Sequence, residues 1–190
     1  DYKGFYHKTE NGIVNHYDIH NLYGFNMTKA AAEGFEEIDS NKRFLLFSRA
    51  SFIGAHRYGG IWTGDNCSWW EHLILNMKML PSINMCGFIY SGADTCGFGS
   101  NVDPELAIRW NQLSIFAPLY RNHSSMGTRN QEPFAFDEYT EKTIKNIIKF
   151  RYAMIPYLYS EYMKAINSSD MLIKPLSFEY NDEFVSQIED

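Results

Sequence analysis

Residues 60–81 read GIWTGDNCSWWEHLILNMKMLP, and this stretch decides the predicted fold class. Its first four residues form a short, largely apolar run, which is typical of a strand buried on both faces of a sheet. The polar turn Gly64-Asp65-Asn66 follows directly. Apolar side chains then recur every three or four residues over residues 70–80, which predicts a helix that ends near Pro81. The stretch is therefore predicted to be a strand, a polar loop and a helix.

Similar units lie on both sides of this stretch. Further short apolar runs predict three strands, at residues 44–47, 87–91 and 119–121. Helical spacing of apolar residues predicts three helices, over residues 20–35, 106–116 and 144–166. The last of these helices is expected to kink at Pro156. Residues 1–20 are expected to form a loop or an extended segment, and residues 172–190 show short, strand-like alternation.

Alternating strands and helices indicate an α/β fold built on a parallel sheet, either an open doubly wound sheet or a closed (β/α)8 barrel, the TIM barrel. The sequence supplies only about four strands, whereas a closed parallel barrel needs eight. It also begins with Asp1 and not with Met. We therefore expect these 190 residues to be an internal segment of a longer polypeptide.

The composition argues against several kinds of partner. The net charge is −6 and no basic stripe is visible, which argues against nucleic acid. No apolar tract is long enough to cross a bilayer, so no membrane association is expected. The three cysteines are odd in number and lack C-x-x-C spacing, which favours free thiols over a metal site or a disulfide framework. His16 and His20 are interpreted as a surface pair. Without a targeting signal, we expect a cytoplasmic protein.

Polar residues follow all four predicted strands. They are Ser48-Arg49, Asp65-Asn66, Asp94 and Arg121-Asn122-His123. A single Asp at such a position is most often a helix N-cap. Four polar strand ends in succession indicate a binding site, because α/β barrels build their active sites at this edge. Aromatic residues nearby offer flat faces for a sugar ring, namely Trp62, Trp69, Trp70, Phe98 and Tyr120. Paired carboxylates among such rings suit glycoside hydrolysis.

Six short motifs carry a family resemblance. They are His20-Asn21-Leu22-Tyr23-Gly24, Arg49-Ala50-Ser51-Phe52, Trp62-Thr63-Gly64-Asp65-Asn66, Gly92-Ala93-Asp94-Thr95-Cys96-Gly97-Phe98, Arg109-Trp110 and Arg121-Asn122-His123. In order and spacing they resemble the second half of the catalytic barrel of glycoside hydrolase family 31. That family contains α-glucosidases, including sucrase-isomaltase, maltase-glucoamylase and bacterial relatives. The resemblance covers roughly residues 20–180.

The resemblance implies retaining hydrolysis by double displacement. No cofactor and no metal are expected. Asp65, in W-x-G-D-N, corresponds to the general acid/base, and Arg121 would support the catalytic carboxylates. The family's nucleophile is an Asp in a W-x-D-M-N-E-like motif at the end of barrel strand four. This motif does not occur in the sequence. The nucleophile is therefore expected upstream of Asp1, in the other half of the same barrel.

The resemblance also implies a substrate, an oligosaccharide from which a terminal non-reducing α-linked glucose is removed. Trp62 would wall the subsite that holds this glucose, and Phe98 would line the same pocket. Arg49, Asp94 and His123 would bind the glucose hydroxyls. The family's architecture further implies that residues 1–170 carry barrel strands five to eight, and that residues 171–190 begin a β-rich C-terminal domain.

Several alternatives remain open at this stage. An α-xylosidase of the same family shares most of these motifs. A catalytically inert sugar-binding or scaffold fragment would also fit, since the nucleophile is missing. From the residues alone, Asp65 and Asp94 can be read as the catalytic pair themselves. The sequence departs from many family members at Thr95-Cys96 and in the loop Ser125-Met126-Gly127, where leaving-group preference is expected to be affected.

Overall fold

The computed structural model describes residues 1–180, which divide into two compact units on either side of Ile61 and Trp62. The first unit contains β1 (Tyr6–Thr9), β2 (Gly12–Asn15), α1 (His16–Ile38) and β3 (Phe47–Ser48). Strand β4 (Gly60–Trp62) ends at the boundary. The second unit contains α2 (Trp70–Met85), β5 (Ser91–Gly92), β6 (Asp94–Thr95), α3 (Pro104–Ser114), β7 (Arg121–Asn122), α4 (Glu138–Ser168) and α5 (Leu176–Glu179). Three short 3-10 turns complete these elements, at Tyr2–Gly4, Ala55–Arg57 and Pro133–Ala135.

The amino-terminal segment is a β-hairpin and not the loop or extended segment expected from the sequence. Strands β1 and β2 pair antiparallel, and Gly12 next to the turn has a φ of 115°. A positive φ strains a residue with a Cβ, which explains glycine at this position. Most hairpin residues are exposed. The two strands therefore lack the apolar alternation by which sequence analysis recognises a strand.

Helix α1 confirms the predicted helix at residues 20–35 and is longer at both ends. It begins where the Asn15 side chain accepts a hydrogen bond from the Tyr17 N–H, a typical N-cap arrangement. It continues through Gly34, where we expected it to end, and stops before Asp39, whose N–H donates to Phe35 O. The apolar residues whose spacing predicts this helix are Leu22, Phe25, Ala31, Ala32 and Phe35. Of these five, only Ala32 is buried.

The strand predicted at residues 44–47 is shorter than expected and is displaced. Its paired part is Phe47–Ser48, which lies parallel to β4 with Phe47 opposite Gly60 and Ser48 opposite Ile61. Leu45 is 59% exposed, so the expectation of burial on both faces is wrong for this run. The parallel pairing and the strand at residues 60–62 agree with the prediction.

In the second unit the chain alternates between short strands and long helices, as predicted, but two boundaries differ. Helix α2 does not stop at Pro81 and continues to Met85. Beyond it, the strand predicted at residues 87–91 does not form over residues 87–90. Two strands of two residues each, β5 and β6, follow instead. The backbone N–H groups of Gly87 and Phe88 bond to carbonyls of the last turn of α2, and the Asn84 side chain donates to Phe88 O. These groups are therefore not available to a sheet.

The main core of the second unit lies between α3, α4 and the segment after β6. It consists of Cys96, Val102, Leu106, Ala107, Trp110 and Ile144, all at most 2% exposed. Each fully buried aliphatic side chain of this kind contributes about 2 kcal/mol through the hydrophobic effect. The predicted inner face of α3 is confirmed at Leu106 and Trp110, whereas Phe116 lies past the helix and is exposed.

The fourth predicted strand, at residues 119–121, is observed two residues later as β7, which pairs parallel with β6. Helix α4 confirms the long last helix and runs through Pro156. The strand-like pattern expected after residue 172 is not borne out up to residue 180, where the only regular element is the short helix α5. Residues 181–190 lie outside the described part of the chain. Among the described helices, none is long and apolar enough to cross a membrane.

Three histidines meet where the hairpin joins α1. His7 Nε2 and His16 Nδ1 share a hydrogen bond of 2.8 Å, and the rings of His16 and His20 are 5.1 Å apart. Desolvation, followed by the charges of His7 and His20, lowers the pKa of His16 below its ordinary value. A lowered pKa means that the unfolded chain binds this proton more readily. The stabilising contribution is therefore complete above about pH 6.5 and is lost as the pH falls through the lower folded-state pKa.

We accordingly expect protection of the β1–β2 amides against hydrogen exchange to decrease as the pH falls below about 6.5. NMR titration of the histidine ring protons should show His16 titrating below the ordinary range. The variant His16→Asn serves as a control and should reduce the pH dependence of protection. A ring that titrates at or above the ordinary value would contradict this account.

Candidate active site

The loop that carries Asp65 is braced through its neighbour Asn66. The Asn66 Nδ2 donates to Asp94 O at 2.9 Å, and the Asp94 N–H donates back to Asn66 Oδ1 at 3.2 Å. The Asn66 carbonyl accepts from the N–H groups of Phe98 and Gly99 at 2.7 and 3.0 Å. Asp65 itself is exposed, so its carboxylate sits at the surface on a loop fixed to the segment that carries Asp94.

Asp94 and Arg121 form an ion pair at the centre of the site. Strands β6 and β7 place the two residues opposite each other, and Arg121 Nη2 lies 2.6 Å from Asp94 Oδ1. The Asp94 side chain is 0% exposed, whereas Arg121 is 32% exposed. A buried carboxylate requires such a charged partner. Within residues 1–180, Asp94 Oδ2 has no hydrogen-bond partner. One oxygen is thus fixed and the other can accept a hydrogen bond.

Trp62 completes this cluster on the strand before Asp65. The Arg121 guanidinium carbon lies 5.5 Å from the centre of the Trp62 ring, a distance suited to a cation–π interaction. The backbone between Trp62 and Asp65 passes close to both partners. A Cβ at Gly64 would lie 2.3 Å from Trp62 Nε1 and 2.5 Å from Asp94 Oδ2. Glycine is therefore required at this position for steric reasons.

We expect Gly64→Ala to lower the free energy of unfolding by about 1–3 kcal/mol, because a methyl group cannot fit without displacing Trp62 or Asp94. Thermal unfolding of the two proteins measures this difference. Gly34→Ala is the matched control, since Gly34 lies inside α1 and, apart from its chain neighbours and the backbone of the helix itself, no atom is within 4 Å of the place that a methyl group would take there. That control is expected to be neutral or stabilising by up to about 1 kcal/mol. Equal melting temperatures for Gly64→Ala and wild type would contradict the packing described.

Phe98 and His123 form the other side of the candidate site. Their rings are stacked, with centroids 5.2 Å apart and an interplanar angle of 30°. The segment after His123 is tied to the same place, because the Ser125 N–H donates to Phe98 O at 2.8 Å. Phe98 is half-buried and His123 is exposed. The pair can therefore present a flat apolar face and a hydrogen-bonding ring to a ligand.

A buried network of hydrogen bonds joins Tyr120, Asn111 and Cys96 next to the site. The Tyr120 hydroxyl donates to Asn111 Oδ1 at 2.5 Å, and Asn111 Nδ2 donates to Cys96 Sγ at 3.3 Å. Burial raises the pKa of the Cys96 thiol to about 12, although the hydrogen bond from Asn111 opposes this effect. Burial also raises the pKa of Tyr120. Cys96 and Tyr120 are therefore protonated, and their role is structural. Tyr120, predicted as a platform for a sugar, uses its hydroxyl within the protein.

The loop after His123 is closed by residues that sequence analysis did not single out. Asn122 Nδ2 donates to Gln131 O at 2.7 Å, and Gln131 Nε2 donates back to Asn122 Oδ1 at 3.0 Å. Arg129 donates to Val102 O, and its guanidinium lies 4.5 Å from the Phe136 ring centre. No local pattern marks Gln131 or Arg129, because their partners are distant in sequence or belong to the backbone.

The structure brings most of the predicted site residues into one unit. Asp94 and Arg121 are in direct contact, as are Phe98 and His123, and Trp62 lies against Arg121. Arg49 belongs to the first unit, where it is exposed directly after β3. Trp69, another predicted sugar platform, packs against His72 with ring centres 5.0 Å apart. In residues 1–180, no group of three or more acidic, His or Cys side chains is arranged to hold a metal.

Comparison with known proteins identifies the family. The model of the glycosyl hydrolases family 31 TIM-barrel domain matches residues 2–161. The chain is 40% identical over 177 residues to alpha-glucosidase 2 of Bacillus thermoamyloliquefaciens, a match that covers 93% of this chain and 22% of that protein.

Solved structures agree with this match. The glucosidase II alpha subunit in its alpha3-Glc2-bound form superposes with a TM-score of 0.86 at 32% identity, over 93% of this chain and 19% of that one. The family 31 dextranase of Flavobacterium johnsoniae, complexed with glucose, gives a TM-score of 0.85 at 30% identity, over 95% and 23% of the two chains. The chain thus spans about a fifth of the length of these relatives. The family resemblance seen in the motifs is confirmed: this chain belongs to glycosyl hydrolase family 31, and it forms part of that family's TIM-barrel domain.

Proposed function

We propose that this chain supplies the general acid/base and the sugar-binding residues of a retaining, exo-acting α-glucosidase. The observation that carries this proposal concerns Asp94. Its carboxylate is buried and is paired with Arg121 through one oxygen, and its backbone is hydrogen-bonded to Asn66, the neighbour of Asp65. Such a carboxylate can accept a short, charge-assisted hydrogen bond from a sugar hydroxyl. The relatives named as alpha-glucosidase and glucosidase II support the reaction class.

In the proposed mechanism, Asp65 donates a proton to the glycosidic oxygen as the leaving sugar departs. The same residue then removes a proton from the water that hydrolyses the glycosyl-enzyme intermediate. The exposed position of Asp65 leaves room for the leaving sugar and for this water. Because the nucleophile motif is missing from this sequence, we propose that the nucleophile comes from the other half of the barrel.

The proposed substrate is an oligosaccharide that ends in α-linked glucose. Structures of relatives in complex with alpha3-Glc2 and with glucose support this class of substrate. We propose that Trp62 and Phe98 form the walls of the glucose subsite. Asp94, His123 and Arg49 would bind its hydroxyls, and Arg121 would orient Asp94.

We also propose that residues 1–170 provide barrel strands five to eight and require the upstream half of the barrel to complete the core. The end of α4 at Ser168 is consistent with a domain boundary near residue 170. Residues 171–190 would then begin the C-terminal β-rich domain.

The proposal is tested with the complete polypeptide that contains this chain. Maltose, isomaltose, and aryl α-glucoside and α-xyloside substrates are compared under identical conditions. We expect glucose release, with α-glucoside strongly preferred over α-xyloside, and NMR should detect the α-anomer as the first product. Preference for the xyloside would assign an α-xylosidase, and sugar binding without turnover would assign an inert binding module.

A further inference from the structure

A pocket of about 190 Å³ lies beside Asp65, within the second unit. One side is formed by the loop that includes Asp65 and Asn66, and the other by a face of α2 that presents His72 and Asn76. The two α2 residues are four apart, so they share one face of the helix. The pocket is large enough to hold several water molecules, since one water occupies about 30 Å³ in the liquid.

His72 holds the loop directly. Its Nδ1 accepts a hydrogen bond of 2.7 Å from the Cys67 N–H, two residues after Asp65. Because Nδ1 acts as the acceptor, this arrangement requires a neutral imidazole with its proton on Nε2. The Trp69 ring packs against the imidazole and limits its rotation.

Asn76 is a buried polar residue among the α2 residues that line this pocket. It is 5% exposed, and within residues 1–180 its Oδ1 has no hydrogen-bond partner. A buried amide oxygen is stable only when it is hydrogen-bonded. Asn76 therefore marks a polar position in the α2 wall opposite the loop of Asp65.

The Asp65 loop is therefore held from two directions. On one side Asn66 is bonded to Asp94, Phe98 and Gly99, which all belong to the proposed glucose subsite or its support. On the other side the Cys67 N–H is bonded to His72 on α2, and the Cys67 carbonyl accepts from the N–H of Trp69, the N-cap residue of α2. Removing the His72 acceptor therefore takes away one bond on the Cys67 side and leaves the bonds of Asn66 in place.

From this geometry we propose that His72 is a positioning residue for Asp65, a role that rests on the proposed function of Asp65 as general acid/base. By accepting the Cys67 N–H, His72 fixes the loop so that the Asp65 carboxyl faces the glycosidic oxygen. Loss of this bond displaces the carboxyl and impairs protonation of poor leaving groups, whereas binding of the glucose ring is unaffected.

The test uses variants of His72 in the complete polypeptide. In His72→Leu the acceptor is lost, and we expect kcat/KM for maltose to fall by about tenfold to a hundredfold, the effect of a small misplacement of a reacting group. The glycosylation rate with an aryl glucoside that carries a good leaving group should change less than about twofold, because its departure needs little protonation. Inhibition by glucose should be unchanged.

His72→Asn provides the rescue. The Asn side chain can place its oxygen near the position of Nδ1, so it should restore most of the activity on maltose. His72→Gln places its amide further along the side chain and should behave like His72→Leu; it replaces that variant if His72→Leu fails to fold. Leu75→Ala is the matched control, because Leu75 lines the same pocket and is 51% exposed. It should leave both activities unchanged.

The outcomes separate this proposal from the proposed function. If Asp65→Asn discriminates between the two substrates but His72→Leu and His72→Gln lower both activities equally, the positioning role is wrong and the function stands. Failure of His72→Asn to restore maltose hydrolysis also overturns the positioning role. If Asp65→Asn itself fails to discriminate, the proposed function is wrong at its first step.

Discussion

Replacing Asp65 with Asn in the complete polypeptide should lower maltose hydrolysis by a factor of about 10² to 10⁴, the range contributed by general acid catalysis. The glycosylation step with an activated aryl glucoside should remain close to that of the wild type. The phenolate of an acidic phenol departs without a proton, whereas the glucose that leaves maltose must be protonated as it departs. The measurement is the pre-steady-state rate of phenol release beside steady-state kcat/KM for maltose.

A second expectation for the same variant concerns deglycosylation. Without Asp65 as base, attack by water slows, so the glycosyl-enzyme should accumulate and produce a burst of phenol. Added azide, which needs no base, should shorten the life of this intermediate. Equal losses on both substrates in the glycosylation step would count against Asp65 as the acid. Glu105→Gln is a suitable control, because Glu105 is an exposed carboxylate in the second unit that pairs with Arg109 at 3.7 Å.

Replacing Asp94 with Asn should lower kcat/KM for all α-glucosides by about a hundredfold or more, regardless of the leaving group. The amide keeps the size of the side chain but loses the charge that pairs with Arg121 and that strengthens hydrogen bonds to sugar hydroxyls. Hydrogen bonds to charged groups contribute about 1.5–3 kcal/mol, and they tighten in the transition state. The absence of leaving-group dependence distinguishes this residue from Asp65.

The alternative in which Asp65 and Asp94 are themselves the catalytic pair is decided by labelling. A mechanism-based fluoroglucosyl inhibitor should modify a carboxylate outside these 190 residues, as peptide mapping of the complete polypeptide would show. A label on Asp94 would overturn its assignment to sugar binding and would support the pair. Thermal unfolding should accompany both experiments, because removing the charge of the buried Asp94 leaves Arg121 without its ion-pair partner and is also expected to destabilise the protein.

The features that sequence analysis predicted are those encoded by local pattern or by motif. The strand before Asp65 and helices α3 and α4 follow from apolar spacing, and the contact between Asp94 and Arg121 agrees with their positions at two neighbouring strand ends. The amino-terminal hairpin was missed because its residues are mostly exposed and carry no apolar alternation.

Other features depend on contacts that no local pattern encodes. The apolar run before Ser91 has the composition of a strand. The backbone N–H groups of Gly87 and Phe88 in this run nevertheless donate to carbonyls at the end of α2 and not to a neighbouring strand. Asn66 was seen only as the neighbour of Asp65, although its side chain holds the backbone of Asp94. Gln131 carries no sequence signal, since its partner Asn122 becomes visible only when the loop between them is closed. These residues act through tertiary contacts, and a single sequence does not reveal them.

The bonds that hold Asp94 also determine when the site can form. Asn66 and Asp94 are 28 residues apart, and Asp94 and Arg121 are 27 apart, so each bond closes a long loop. One loop contains α2 and the other contains α3. Loop closure costs conformational entropy that is offset only after the intervening helix has packed. A partly folded chain can therefore retain its helices and yet lack the site. During unfolding, activity should disappear before the helical signal does.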